Sequence, residues 1–302
     1  MKKNRMNMPE GMVERSTWAD HIGDGLMAVL LVAVVFICLI PLWHTLMASL
    51  SDGQKLLEHS GMLWLPVGGA TLDGYKLLFS SQKYMVLHGL LNTILYVTYT
   101  TLLGFIINVV GGYILSRKTK LRGVMVMFVM ITMMFSGGTI PTYMVVRALG
   151  MTKTPLALIV PGCTNAMFVI MLMNGFLQVP ESTIEAAKLD GAGTLRIMFQ
   201  IALPQGLGMA LVTVINTVVI AWNSWFNAMI YVPTQKNLWP LQLWIKQISE
   251  DASRIMQSKN PVYTELLLQH AAVIVSILPI IILFPFFVKK LEKGMAQGGV
   301  KE

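Results

Sequence analysis

The chain has 302 residues, 55% of them hydrophobic and 13% charged, with a mean hydropathy of +0.63 and a net charge of +8. Too few polar side chains are present to cover a soluble globule, so the sequence reads as an integral membrane protein. Basic residues flanking membrane spans account for the positive balance, which therefore gives no argument for a nucleic-acid partner.

Lys2, Lys3, Arg5 and Arg15 precede the first apolar span, and no small-residue cleavage site followed by a soluble domain is evident, so this span reads as an uncleaved anchor. At about 20 residues per crossing, six helical spans are expected, over 26–48, 88–116, 121–146, 155–177, 205–230 and 266–288. The fold class is then an all-α integral membrane protein, because a helix satisfies its own backbone hydrogen bonds in lipid. Gly137, Gly138 and Pro141 interrupt the third span, whose crossing part is expected to end near Ser136. With both termini cytoplasmic, residues 1–25, 117–122, 178–204 and 289–302 carry 14 basic residues against nine in the longer outer loops. The outer loops 49–87 and 231–265 are long enough to suggest a role of their own, and the second contains a short amphipathic segment.

The polar segment 180–204 stands apart from the spans. Ser182 and Glu185 have the spacing of a capping box, which starts a short helix near Thr183. Asp190 and Gly191 end it, glycine being suited to the left-handed closing position. Leu195, Met198, Phe199 and Ala202 then share one face of a second short helix, and Pro204 marks entry to the next span. Glu181 and Glu185 lie i,i+4 with like charge, an arrangement that calls for a cationic partner.

In the fifth span Asn216, Asn223 and Asn227 would lie within about 40° of one another on a continuous helix. Trp222, Ser224, Trp225, Phe226 and Tyr231 are close in sequence. Amides beside aromatic rings suit a polyhydroxylated substrate, and interhelical bonding to a partner subunit is the equal alternative. Cys38 and Cys163 fall in apolar spans and read as small packing residues. The five histidines have no metal-ligand spacing, and structural or interfacial roles are expected for them. No Asp, Glu, Lys or Arg lies in the core of any expected span, which argues against an ion-coupled secondary transporter. A nucleotide-binding Gly-x4-Gly-Lys-Ser/Thr loop is also missing, so any ATP is hydrolysed elsewhere.

Glu185, Ala186, Ala187, Asp190, Gly191 and Ala192, followed by Ile201, Leu203 and Pro204, resemble the EAA loop of ABC importer permeases. The stretches 135–150, 221–232 and 238–244 resemble the carbohydrate-uptake subfamily, the maltose-permease relatives, and argue against a peptide, polyamine or phosphate permease. The resemblance implies a type I importer permease of a bacterial cell membrane, without catalytic activity, serving oligosaccharides or polysaccharide fragments. It implies a homologous second permease, an ATP-binding subunit dimer and an extracytoplasmic solute-binding protein as partners. No cofactor is then held by this chain, and ATP and Mg²⁺ belong to the ATPase. Glu185, Ala186, Ala187, Asp190 and Gly191 would be ATPase-coupling residues, with Asn216, Asn223, Asn227, Trp222 and Tyr231 as candidates for the substrate path. The tail 294–302 resembles the family's tail that inserts between ATPase subunits, and loop 231–265 matches in position the loop that enters the binding protein.

Overall fold

The computed structural model describes residues 18–81, 83–256 and 263–298, whose regular secondary structure is all helical, with no strand among them. The basic cluster from Lys2 to Arg15, Asn260-Pro261 and the last four residues of the tail lie outside the described residues. In chain order the helices are α1 (Trp18–Ser49), α2 (Gly53–Glu58), α3 (Asp73–Ser80), α4 (Val86–Ser116), α5 (Arg122–Met134), α6 (Thr139–Ala148), α7 (Leu156–Ile159) and α8 (Ala166–Leu177). They continue as α9 (Glu181–Leu189), α10 (Thr194–Ile197), α11 (Leu203–Gln205), α12 (Leu207–Trp222), α13 (Phe226–Tyr231), α14 (Leu241–Met256) and α15 (Tyr263–Gly298).

Three segments, His21–Ser49, Val86–Ser116 and Thr264–Pro285, are long and apolar enough to cross a membrane as single helices. Three bent helix pairs, α5 with α6 at 114°, α8 with α9 at 76°, and α10–α11 with α12 at 85°, raise the number to six if each pair is one span. Two expected continuous spans are broken. In 155–177 the helix stops at Ile159 and restarts at Ala166, because Pro161 lacks an N–H and disfavours helical geometry at the residue before it. Asn165 then caps α8 by accepting from the Met167 amide at 2.9 Å. In 205–230 the helix stops at Trp222 and restarts at Phe226.

α4 is the spine of the bundle. Glycine lets its neighbour approach closely: a Cβ on Gly104 would lie 2.0 Å from the Cys163 carbonyl oxygen, and one on Gly112 would lie 2.7 Å from Leu172 Cβ. Small residues of this kind permit the backbone proximity that drives helix packing where lipid supplies no hydrophobic force. Two apolar clusters occupy opposite ends of α4. Val109 and Tyr113 gather Phe176, Ile184, Ile197 and Met198 at its C-terminal end. Val86 gathers Trp222, Tyr231, Trp239, Trp244 and Ile248 at its N-terminal end.

At that N-terminal end one face of α4 grips the short 3-10 turn Lys236–Leu238 and the extended Trp239 before α14. Asn92 Nδ2 donates to the carbonyls of Asn237 at 2.7 Å and Trp239 at 3.1 Å, and the Tyr96 hydroxyl donates to Leu238 O at 2.9 Å. The Leu241 amide donates to Thr93 Oγ1 at 2.8 Å, and His88 Nε2 lies 2.8 Å from Asn237 O. These bonds satisfy backbone groups that no helix serves. α14 then turns Leu241, Trp244, Ile245, Ile248 and Ala252 inward, an i, i+3, i+4, i+7, i+11 stripe in which each buried Leu or Ile contributes about 1.5–3 kcal/mol.

Candidate coupling helix and substrate-path residues

α9 starts two residues earlier than its sequence suggests. Pro180 is the N-cap with φ −57° and ψ 133°, and no side chain caps the helix. The Ser182–Glu185 capping box is therefore not formed. Proline suits this position because an N–H there would have no partner within the helix. Glu181 falls in the first turn, where a carboxylate favours the helix dipole, and it pairs with Lys118 from the α4–α5 connection. The hydrogen bond and charge of Lys118 hold the Glu181 carboxyl below its usual value. The cation called for by the Glu181/Glu185 spacing is thus partly supplied from within the chain.

The C-terminus of α9 closes in a left-handed turn. Gly191 has φ +77°; its amide donates to Lys188 O at 3.0 Å, and the Ala192 amide donates to Ala187 O at 2.9 Å. This pair of bonds is a Schellman motif, which requires the left-handed residue that glycine supplies without strain.

Ile184 and Ala187 of α9 are buried against Ile197 and Met198, whereas Glu185, Ala186, Asp190 and Gly191 are exposed. Ala187 is thus a packing residue inside this chain, and the free face of the segment is built from the other four. Leu189 is 89% exposed and Leu195 68%, one on each side of the Gly191 turn. Sequence reasoning missed Leu189, although an apolar residue directly before a closing Asp-Gly was the available signal.

Leu195 and Phe199 do not share a buried face with Met198 and Ala202. Both are exposed, and Ile197 takes the inward place. Residues 198–202 form a π turn in which the Leu203 amide donates to Met198 O, five residues back. Pro204 has no amide to continue the ordinary i−4 ladder, and the wider turn accommodates that gap. Pro204 consequently sits inside a helical run, and the change of direction comes at Gly206, before α12.

Arg117 ties this end of the bundle together. Its Nη2 donates to Phe176 O near the C-terminus of α8 at 3.0 Å, its Nε donates to Ser116 Oγ at 3.0 Å, and its guanidinium lies 4.9 Å from the Tyr113 ring centroid. Between the α4–α5 connection and α9 lies a cleft of about 500 Å³, with Arg117, Lys118 and Arg122 on one wall and Glu181, Glu185 and Lys188 on the other. The sequence presented these cations only as a topology signal.

Asn216 and Asn223 lie on one exposed side of α12, but the asparagine stripe does not run on to Asn227 in the same helix. α12 ends at Trp222, with Asn223 as its C-cap, so Asn227 belongs to the separate helix α13. Asn216 Nδ2 donates to Val212 O and Asn223 Nδ2 to Val219 O, both at 2.8 Å, so each amide is engaged by its own helix. Such local bonds compete with the backbone ladder and favour a stop. Trp222 and Tyr231 are buried. Trp222 Nε1 donates to Ser276 O at 3.2 Å, and Tyr231 stacks on Tyr143 with ring centroids 6.1 Å apart. Both side chains are thus packed within this chain.

Asn227 keeps polar company of a different kind. With Ser224, Thr93, Tyr96 and Thr100 it lines a cavity of about 50 Å³ between α4, α12 and α13. Hydroxyl and amide groups that converge in an otherwise apolar bundle form a neutral hydrogen-bonding surface.

Residues 100–297 match the family model described as the binding-protein-dependent transport system inner membrane component. The polygalacturonan/rhamnogalacturonan transport system permease protein YtcP of Bacillus subtilis (strain 168) is 30% identical over 290 residues, spanning 93% of this chain and 99% of the relative. Protein LplC of the same organism is 30% identical over 298 residues, spanning 97% and 100%. Among solved structures, a chain of a bacterial ABC transporter involved in the import of the acidic polysaccharide alginate matches with a TM-score of 0.79 at 25% identity, over 90% of this chain and 98% of that one. With the family model matched over most of the chain and the architecture shared almost end to end, this chain belongs to the family of inner-membrane components of binding-protein-dependent transport systems.

Proposed function

We propose that this chain is one of two permease subunits of an ATP-driven importer for complex sugars, oligosaccharides or polysaccharide fragments. The observation that carries the reading is the near-complete match to a polygalacturonan/rhamnogalacturonan permease protein. The α9 surface supports it. Glu185, Ala186, Asp190 and Gly191, with Leu189 at the tip, offer a short exposed helix end to a partner ATPase on the cytoplasmic side. ATP and Mg²⁺ belong to that partner, and a solute-binding protein delivers sugar to the opposite side, at the N-terminal end of α4.

The cavity around Asn227 is lined by four hydroxyl-bearing residues and the one Asn227 amide, and by no cationic side chain. Its chemistry suits sugar hydroxyls and gives no selection for a charged sugar. Vesicles containing the full transporter should take up labelled oligosaccharide only with the ATPase present and ATP supplied to it. Uptake that persists without the ATPase and follows a proton or sodium gradient would overturn the reading.

In the same vesicles, Asn227→Leu is expected to reduce uptake about ten-fold or more, the loss of one to two hydrogen bonds to substrate. Assembly should be unchanged, because Asn227 is only partly buried and sits at the rim of α13. Asn223→Leu should have the smaller effect, its amide already being bonded to Val219 O. Equal uptake by Asn227→Leu and wild type would remove this cavity from the path.

A further inference from the structure

A cluster of polar side chains joins three elements at the end of the bundle opposite α9. The Tyr84 hydroxyl, just before α4, lies 2.7 Å from Asp251 Oδ2 on α14 and 3.0 Å from Glu265 Oε2 in the first turn of α15. Lys83 Nζ bridges the same two carboxylates at 2.9 and 3.2 Å and lies 4.6 Å from the Tyr84 ring centroid. Gln247 Nε2 donates to Asp251 Oδ1 at 3.0 Å. The ring of Tyr84 meets Trp244 edge-on, with centroids 6.4 Å apart. Asp251 and Glu265 are each only about 15% exposed, while the Lys83 side chain is 56% exposed, so the carboxylates are partly shielded and the ammonium still reaches water.

The arrangement is poised by charge. Two carboxylates carried by different helices face the same point and would repel one another, and Lys83 with Tyr84 turns that repulsion into a joint. α14 is held otherwise by its apolar stripe and, at its start, by the Leu241 amide bonded to Thr93 Oγ1. The ionic joint adds a polar tie to the start of α4 and to α15 at the Asp251 end of the helix.

We propose that Lys83 and Tyr84 are positioning residues that lock α14 to the spans, so that this helix presents a fixed surface to the extracytoplasmic solute-binding protein. The proposal rests on the reading of the chain as a binding-protein-dependent sugar permease. Removing the lock leaves α14 folded and attached but variable in orientation, which weakens productive docking and leaves the turnover of docked complexes intact.

Burial acts against the Asp251 charge, but hydrogen bonds from Tyr84, Lys83 and Gln247 outweigh it and hold the carboxyl below its usual value. An acid with a lowered folded value loses its stabilising part only as pH falls through that value, beneath the ordinary Asp range of about 4. Asp251 therefore keeps its charge across neutral pH.

The test uses the complete transporter in liposomes, with ATP hydrolysis measured while sugar-loaded binding protein is titrated, and amide hydrogen exchange followed in α14 and α4. Lys83→Met and Tyr84→Phe are expected to raise the half-saturating concentration of binding protein about five-fold or more, the size of an ordinary intersite coupling. The maximal rate should stay within about two-fold, exchange should rise in α14 but not in α4, and Lys83→Arg should restore the wild-type midpoint. Tyr84→Phe preserves shape and the contact with Trp244, so it tests the joint even if Lys83→Met fails to assemble. An unchanged midpoint in assembled Tyr84→Phe, or a fall in maximal rate that tracks loss of assembly and is not rescued by Lys83→Arg, would overturn the proposal. A wild-type transporter that ignores binding protein would overturn the functional reading instead, and the exchange of α14 would still judge the joint.

Discussion

Gly191→Val is expected to abolish sugar-stimulated ATP hydrolysis and uptake together in a transporter that still inserts and assembles. Gly191 has φ +77°, and a Cβ placed on it would meet nothing within 4 Å. The penalty is therefore entirely one of backbone. An L residue in the left-handed region carries about 1–2 kcal/mol of strain, and a β-branched one carries more. Relief requires the turn to open, which breaks the Ala192-to-Ala187 and Gly191-to-Lys188 bonds and releases α10 from its place beside α9. The exposed edge of Glu185, Ala186 and Leu189 then loses its fixed relation to the π turn and α12. A coupling loss of about 1–3 kcal/mol corresponds to roughly 5–150-fold, and both activities should fall by at least ten-fold on that scale. Gly191→Asn is the control: asparagine tolerates this conformation and open space receives its side chain, so it should stay near wild type. Wild-type hydrolysis and uptake in Gly191→Val, measured in proteoliposomes, would remove α9 from the centre of the mechanism.

Gly104→Ala should damage the bundle itself. Its new methyl would lie 2.0 Å from the Cys163 carbonyl oxygen and 3.1 Å from the carbonyl carbon, both backbone atoms that no side-chain rotation can move. α4 and the α7–α8 connection must separate, and overpacking at such a contact costs about 1–3 kcal/mol or more. At Gly111 the nearest atom to a Cβ is Val169 Cγ1 at 3.3 Å, a side-chain atom able to shift. Gly111→Ala is therefore expected to be nearly silent, while Gly104→Ala lowers the yield of assembled complex and its midpoint of thermal aggregation in detergent by several degrees. Equal midpoints for the two variants would show that the crossing is looser than its geometry implies.

The left-handed turn at Gly191 was legible in the sequence because it depends on one residue type at one position. The interruption of the third span depends on single residues in the same way: α5 gives way to α6 at Gly137 and Gly138, and Pro141 falls in the first turn of α6. The asparagine stripe shows the limit. Its register assumed an unbroken helix through Asn223, yet that amide turns back on Val219 and the helix stops there, so the periodicity ended at the residue used to define it. The second amphipathic face failed similarly, because Pro204 widens residues 198–202 into a π turn and hands the inward place to Ile197.

The sequence by itself determined the membrane class, the polar helical interlude at 180–204 and the Gly191 closure of its first helix, all of which follow from composition and from φ and ψ limits on single residues. Only the tertiary structure decided that Ala187, Trp222 and Tyr231 face inward, that Lys118 reaches Glu181, and that Lys83 and Tyr84 meet Asp251 and Glu265. Asp251 lies 168 positions from Lys83 along the chain, and a contact across that separation exists only once α4, α14 and α15 have packed. No local preference encodes it, because what brings the charges together is the burial of apolar faces elsewhere on the same helices.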